Sequence, residues 1–140
     1  WKDVLGVEVT LANQEWAVFL DTVNEDAPQI YRSGWCADYP DENNWVTEVF
    51  HPEIGSNDIN WSTDDPLAQE FMQVTEDAAA ASDPAERTDL YYRAEEILCV
   101  DAAVIAPIYY YTTVVCTKPY VERTYNSLGG EHFNLWTVNR

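Results

Sequence analysis

Two Asp-Pro steps, Asp65-Pro66 and Asp83-Pro84, place the strongest constraint on how this chain folds. An aspartate can accept the first unpaired N–H groups of a helix. A proline at the next position already holds the helical φ and has no N–H to lose. Behind the first step Leu67, Phe71, Val74, Thr75 and Ala78 fall on one helical face. Behind the second, Leu90, Tyr91, Ala94, Ile97 and Leu98 do the same, with Glu86 three residues after Asp83 in capping-box spacing. The sequence therefore predicts two successive helices, each with one buried stripe.

The flanking segments read as strands and loops. Val7, Val9 and Leu11 alternate, which predicts a strand over 7–11 with one buried face. Asn13 is a cap for a following helix in which Trp16, Phe19, Leu20 and Val23 share a face. Residues 30–35 predict a second strand. Residues 36–65, rich in Asp, Asn, Pro and Trp, form a long loop with one helical turn near 45–50. Residues 103–115 are a strand region that Pro107 confines to an edge or a bulge, and Gly129-Gly130 turns the chain into a last strand over 133–138. The order β-α-β-loop-α-α-β-β is that of an α/β fold without internal repeats.

Composition narrows the function. The chain's 140 residues suit one compact domain or a piece of a larger one, and 46% hydrophobic residues suffice for a core. A net charge of −18 repels phosphate backbones and excludes nucleic-acid binding through a basic face. The longest apolar run, 102–115, carries Pro107 and falls short of the roughly 18–20 residues of a membrane span. The start at Trp1-Lys2-Asp3, without Met or signal peptide, reads as an excised piece of a longer chain. Residues 33–86 hold thirteen acids and no Lys or Arg. They form a solvated acidic face, an adaptation to salt, or an attractor for cationic ligands.

Side chains that could carry chemistry are few. His51 and His132 stand apart, without a second metal ligand at helical spacing. Asp38, Asp41 and Asn43 lack the spacing and the glycine of an EF-hand loop. There is no glycine-rich phosphate cradle and no nucleophile elbow. Carboxylate pairs are too abundant for any one of them to mark a hydrolase. No catalytic residue, metal or cofactor is assigned. Cys36, Cys99 and Cys116 cannot all pair with one another, so they are buried thiols or one has its partner outside the chain.

One segment, Arg32-Ser33-Gly34-Trp35-Cys36-Ala37-Asp38-Tyr39-Pro40-Asp41, delivers an aromatic, a thiol and a carboxylate into the loop. With Asn13-Gln14-Glu15-Trp16 before it, it resembles the C-terminal part of the oligopeptide-binding proteins of bacterial ABC importers, extracellular solute-binding family 5. The resemblance continues through Arg87-Thr88-Asp89-Leu90-Tyr91, Ala94-Glu95, Pro107-Ile108-Tyr109-Tyr110-Tyr111 and Lys118-Pro119-Tyr120-Val121, in order and over nearly the whole chain. It implies that residues 1–140 are the C-terminal portion of an α/β, two-lobed, type II periplasmic-binding-protein fold. That portion is most of one lobe plus the returning segment, with a mixed sheet and flanking helices.

The implied function is binding without catalysis: capture of an extended peptide and its delivery to ABC permease subunits, in the periplasm or outside the cell. Lipid anchoring of the parent stays open. By resemblance Asp38 receives the peptide's α-ammonium, and backbone groups of Gly34 and Cys36 pair with the peptide main chain. Trp16 and Trp35 wall side-chain pockets, Arg32 faces the carboxylate end of short ligands, and Tyr111 lines the cleft. Cys36 corresponds to a cysteine whose disulfide partner lies earlier in the full chain. Val23 departs from the pattern, since the oligopeptide type can carry arginine there, which leaves ligand length and preference open.

Read from the residues alone, Trp16 belongs to its helix's core stripe, Trp35 is ambiguous, and Arg32 is a local ion-pair partner. At most part of Tyr109-Tyr110-Tyr111 faces a cleft, because alternate rings on a strand point oppositely. Cys99 and Cys116 pair with each other or stay buried thiols. Relatives on this fold also bind dipeptides, nickel chelates, haem or oligosaccharides. A carboxylate-pair hydrolase is the reading from another class.

Overall fold

The computed structural model describes residues 1–126 and 128–139. They divide into two units, Trp1–Ser33 and Gly34–Arg140.

In the first unit, α1 (Lys2–Leu5) ends at Gly6, whose φ of 68° is a conformation open to glycine at little cost. α2 (Trp16–Asp26) is capped by Glu15, whose carboxylate accepts from the N–H groups of Ala17 (2.9 Å) and Val18 (3.4 Å). The cap expected at Asn13 is therefore supplied two residues later. No residue of α2 is buried, and Trp16 is 65% exposed. The apolar stripe is real in sequence, but within this unit no other element covers it.

The second unit contains the core. In α5 (Pro66–Ala80), Asp65 caps the N–H groups of Leu67 (2.8 Å) and Ala68 (3.4 Å), and Ala68, Phe71, Thr75 and Ala78 are buried. In α6 (Pro84–Glu96), Asp83 caps Ala85 (2.9 Å) and Tyr91 and Ala94 are buried. A π-helical turn, Ile97–Asp101, extends α6 and buries Ile97 and Leu98. These faces meet each other together with Val46 and Trp61, and the Trp61 ring lies 5.7 Å from that of Phe71. Thr75 is a polar member of the stripe; its hydroxyl donates back to the carbonyl of Phe71 at 2.9 Å, so its burial leaves no unpaired donor.

Before this pair the loop after residue 36 is more ordered than its composition suggests. It forms α3 (Glu42–Trp45) and α4 (Thr47–Phe50). A tight return follows, in which Gly55 N–H bonds the His51 carbonyl at 3.0 Å. A Cβ on Gly55 would lie 2.4 Å from the Thr47 carbonyl oxygen, so no other residue fits there without movement. Asn57 then brackets Trp61, accepting from its N–H (2.8 Å) and donating to its carbonyl (3.0 Å).

The expected strands are where sequence and structure part. Residues 7–11, 30–35 and 103–115 have no strand structure, and the only ladder among the described residues is the antiparallel pair β1 (Val121–Glu122) and β2 (Thr137–Val138). The turn at Gly129, with φ 76°, lies inside this hairpin as expected, but the chain passes through a 3₁₀ turn at Phe133–Leu135 before β2. The segment 103–115 has no regular secondary structure and, apart from half-buried Ile105 against the core, is exposed: Ile108 is 79%, Tyr110 89% and Val114 89% exposed. β-prone residues make a strand only where a neighbouring edge accepts their N–H and C=O groups. The result is helices with one small sheet, compatible with an α/β assignment. Among the described residues no helix is long and apolar enough to cross a membrane.

Candidate functional site

The segment 34–38 leads without regular secondary structure towards α3, and its conformation is held by one residue the sequence does not advertise. Asn44, on α3, is completely buried. Its Oδ1 accepts from the Trp35 indole Nε1–H and from the Asp38 backbone N–H, each at 2.9 Å. Its Nδ2 donates to Glu48 Oε2 at 2.6 Å and to Asp38 Oδ2 at 3.3 Å. An amide has two donor hydrogens and two acceptor lone pairs, and here all four are used.

The network continues outward. Tyr39 donates its O–H to Glu48 Oε1 at 2.5 Å and accepts from Asn43 Nδ2 at 2.7 Å. The Glu48 carboxylate, by accepting that proton, pushes the Tyr39 phenol above its ordinary pKa, while Asn43 opposes the shift.

α3 itself is held by Asp41. Its carboxylate caps the helix by accepting from Asn43 N–H at 2.9 Å and pairs with Arg87 on α6 at 2.6 Å. Arg87 also reaches Glu42 at 2.8 Å and stacks over the Tyr91 ring, 4.8 Å from its centroid. Asp41 is therefore a structural tie between α3 and α6, although in sequence it is one more acid of the loop. Burial pushes its carboxyl up, but the Asn43 N–H and Arg87 outweigh this and hold it below the usual carboxylate value.

Of the residues singled out from the sequence, the structure brings four together. Trp35 and Asp38 share the Asn44 amide. Tyr111 lies beside Gly34, where an added Cβ would sit 3.5 Å from the Tyr111 hydroxyl. Tyr111 also meets the edge of the Tyr109 ring at 5.1 Å. Cys36, in the same segment, is an exposed free thiol; Cys99 and Cys116 are free as well, so they do not pair with each other. Burial raises the Cys99 thiol pKa, with Glu95 adding to the rise. Trp16 and Arg32 belong to the first unit, where Trp16 stacks on Phe19 at 5.6 Å. Trp16 is thus an exposed ring and not the core residue its periodicity suggests.

Sequence reasoning missed Asn44 and Glu48. The available signal was their i, i+4 spacing behind an aspartate able to cap.

In chemical terms the segment presents an exposed carboxylate, a half-buried indole and open main chain, all on a braced support. That equipment suits recognition of a cationic group beside an extended backbone.

No family model matches the chain. Individual proteins do. The periplasmic oligopeptide-binding protein OppA of Salmonella typhimurium is 35% identical over 121 residues, 86% of this chain and 21% of that protein. The oligopeptide-binding protein OppA of Bacillus subtilis is 36% identical over 112 residues, 80% of this chain and 19% of its own length. The periplasmic murein peptide-binding protein MppA of Escherichia coli is 33% identical over 124 residues, 87% of this chain and 21% of that protein. Matches of such length take in the whole stretch from Gly34 to Tyr111 wherever they begin. The chain is a homologue of one segment of the bacterial oligopeptide-binding proteins, spanning about a fifth of the length of the relatives it matches.

Proposed function

We propose that this chain is the C-terminal portion of an extracytoplasmic peptide receptor. It supplies part of the ligand cleft of a two-lobed, type II periplasmic-binding-protein fold that hands its ligand to the permease of an ABC importer. The observation that carries the reading is the homology to oligopeptide-binding and murein peptide-binding proteins across the braced 34–38 segment. Asp38 is the anchor for the peptide α-ammonium. Gly34 and Cys36 offer main-chain groups to the extended ligand, Trp35 and Trp16 wall side-chain pockets, Arg32 meets a ligand carboxylate, and Tyr111 lines the cleft. Cys36 is disulfide-bonded in the complete protein to a partner outside this chain. The receptor binds and releases; it performs no covalent chemistry on the peptide.

Calorimetry on the complete protein, with a short peptide bearing a free amino terminus, tests this. Removing one partner of a desolvated charge pair costs about 2–5 kcal/mol, or roughly 30-fold to a few thousandfold in affinity. Asp38→Asn is expected to weaken binding within that range, mainly through faster dissociation. N-acetylating the peptide removes the same charge from the other side, so it should weaken the wild type strongly and Asp38→Asn much less. Additive losses in that cycle would mean that Asp38 does not meet the ammonium. Hydrolysis of the peptide would overturn the non-enzymatic reading.

A further inference from the structure

Asn44 faces two donors with its oxygen and two carboxylates with its nitrogen. This arrangement admits one orientation of the amide. A flip would set the NH₂ group against the Trp35 and Asp38 N–H groups and the oxygen against the Glu48 and Asp38 carboxylates, making four contacts repulsive at once. No other small side chain satisfies the same four partners. Aspartate would add a third negative charge between two carboxylates, and leucine would leave every partner unmet. The amide also ties the indole of Trp35 to Asp38: its Oδ1 accepts from the indole and from the Asp38 backbone N–H, and its Nδ2 donates to the Asp38 carboxylate, so the spacing between ring and charge is set before any ligand arrives. Asn44 takes one oxygen of the Asp38 carboxylate and leaves the other to an incoming cation. Glu48, the remaining partner, is fixed in turn by the Tyr39 hydroxyl and by its place on α4.

We propose that Asn44 is the positioning residue of this site: it preorganises Asp38 and Trp35 so that an ammonium is met by a carboxylate already in place. The proposal rests on the reading of Asp38 as the ammonium anchor. Preorganisation raises affinity by removing the ordering penalty at the moment of binding. Loss of Asn44 should therefore be felt by ligands that use Asp38 and much less by ligands that do not.

The test uses the complete protein and two probes, a short peptide with a free amino terminus and its N-acetyl analogue. Asn44→Ala is expected to lower affinity for the free-amine peptide by about ten- to a hundredfold, as loss of hydrogen bonds to charged groups does, and for the acetyl peptide far less. In the Asp38→Asn background the same change should have little further effect. Equal losses for both peptides would overturn the proposal, because a merely structural residue predicts that pattern. No loss for either would overturn it too.

A second measurement needs no variant. In the ligand-free wild type, the Trp35 indole N–H and the Asp38 amide should exchange with deuterium slowly. Exchange at the rate of an unprotected amide would refute the preformed loop even if Asn44→Ala does not fold. A wild type that shows no preference for the free amine, with both protons protected, removes the ammonium reading and this proposal with it. A retained preference with both protons unprotected removes only the role of Asn44.

Discussion

Asp41 meets two requirements with one carboxylate, closing the first turn of α3 and holding α6 through Arg87. Substitutions can separate them. Asn retains a capping oxygen but loses the charge; Ala loses both. Asp41→Ala is expected to lower stability by about 0.5–2 kcal/mol, the usual effect of losing a cap, with the ion-pair loss added. Asp41→Asn should cost no more than about 1 kcal/mol, since the pair is partly exposed and solvent-screened. Urea unfolding of the two variants checks this, and equal losses would mean that the ion pair, not the cap, holds the loop. The carboxyl's folded pKa lies below 3.8, so its contribution is complete above that pH and disappears as pH falls through the folded value. At this scale the sequence named Trp35, Asp38 and their neighbours through a resemblance, but not what holds them. Asn43 and Asn44 look alike in the chain. Only the geometry of α3 sends Asn44 inward, and the partner of Asp41 stands forty-six residues away.

The return between α4 and α5 is built on a buried imidazole. His51 is fully buried, and its Nδ1 accepts from the N–H groups of Glu53 (3.1 Å) and Ile54 (3.2 Å). Nδ1 must therefore carry no proton, while Nε2 faces Glu76 of α5 at 3.7 Å. Burial lowers the pKa below 6.5, against the opposing pull of the Glu76 and Glu53 carboxylates. Between the folded value and 6.5 the unfolded chain binds the proton more readily. The contribution of His51 is therefore complete above pH 6.5 and is lost as pH falls towards the folded pKa.

His51→Asn keeps an acceptor near the two amides but cannot titrate. Its stability should change less than the wild type's between pH 6.5 and about 5, above the range where ordinary carboxylates protonate. Parallel urea midpoints across that window would sink the idea. Among the elements, α5 and α6 were legible because caps and stripes are local, written within a dozen residues. The strands were not, because a ladder depends on a partner edge that residues 7–11, 30–35 and 103–115 cannot specify by themselves.

For the molecule as a whole the governing quantity is charge. Lys2 pairs with Glu8, Arg87 with Asp41 and Glu42, Arg93 with Glu70, Glu96 and Asp101, and Arg123 with Glu131. Even so, a net charge of −18 remains to repel itself. The total and its concentration over residues 33–86 were plain in the sequence. Which acids are matched was not, since Arg87 and Arg93 collect theirs from separate elements. Self-repulsion disfavours the compact state, and dissolved salt weakens it by shortening the Debye length from about 30 Å at 0.01 M to about 10 Å at 0.1 M.

The urea midpoint of the chain should therefore climb steeply with sodium chloride over that range, then level as repulsion is screened and the surface ion pairs weaken too. A midpoint that kept rising into molar salt would favour adaptation to high salt over a simply solvated acidic face. A flat response from the outset would mean that the folded and unfolded chains feel the acids equally. In that case the negative face imposes no electrostatic penalty on folding, and its concentration over 33–86 would have to be explained by what the face attracts.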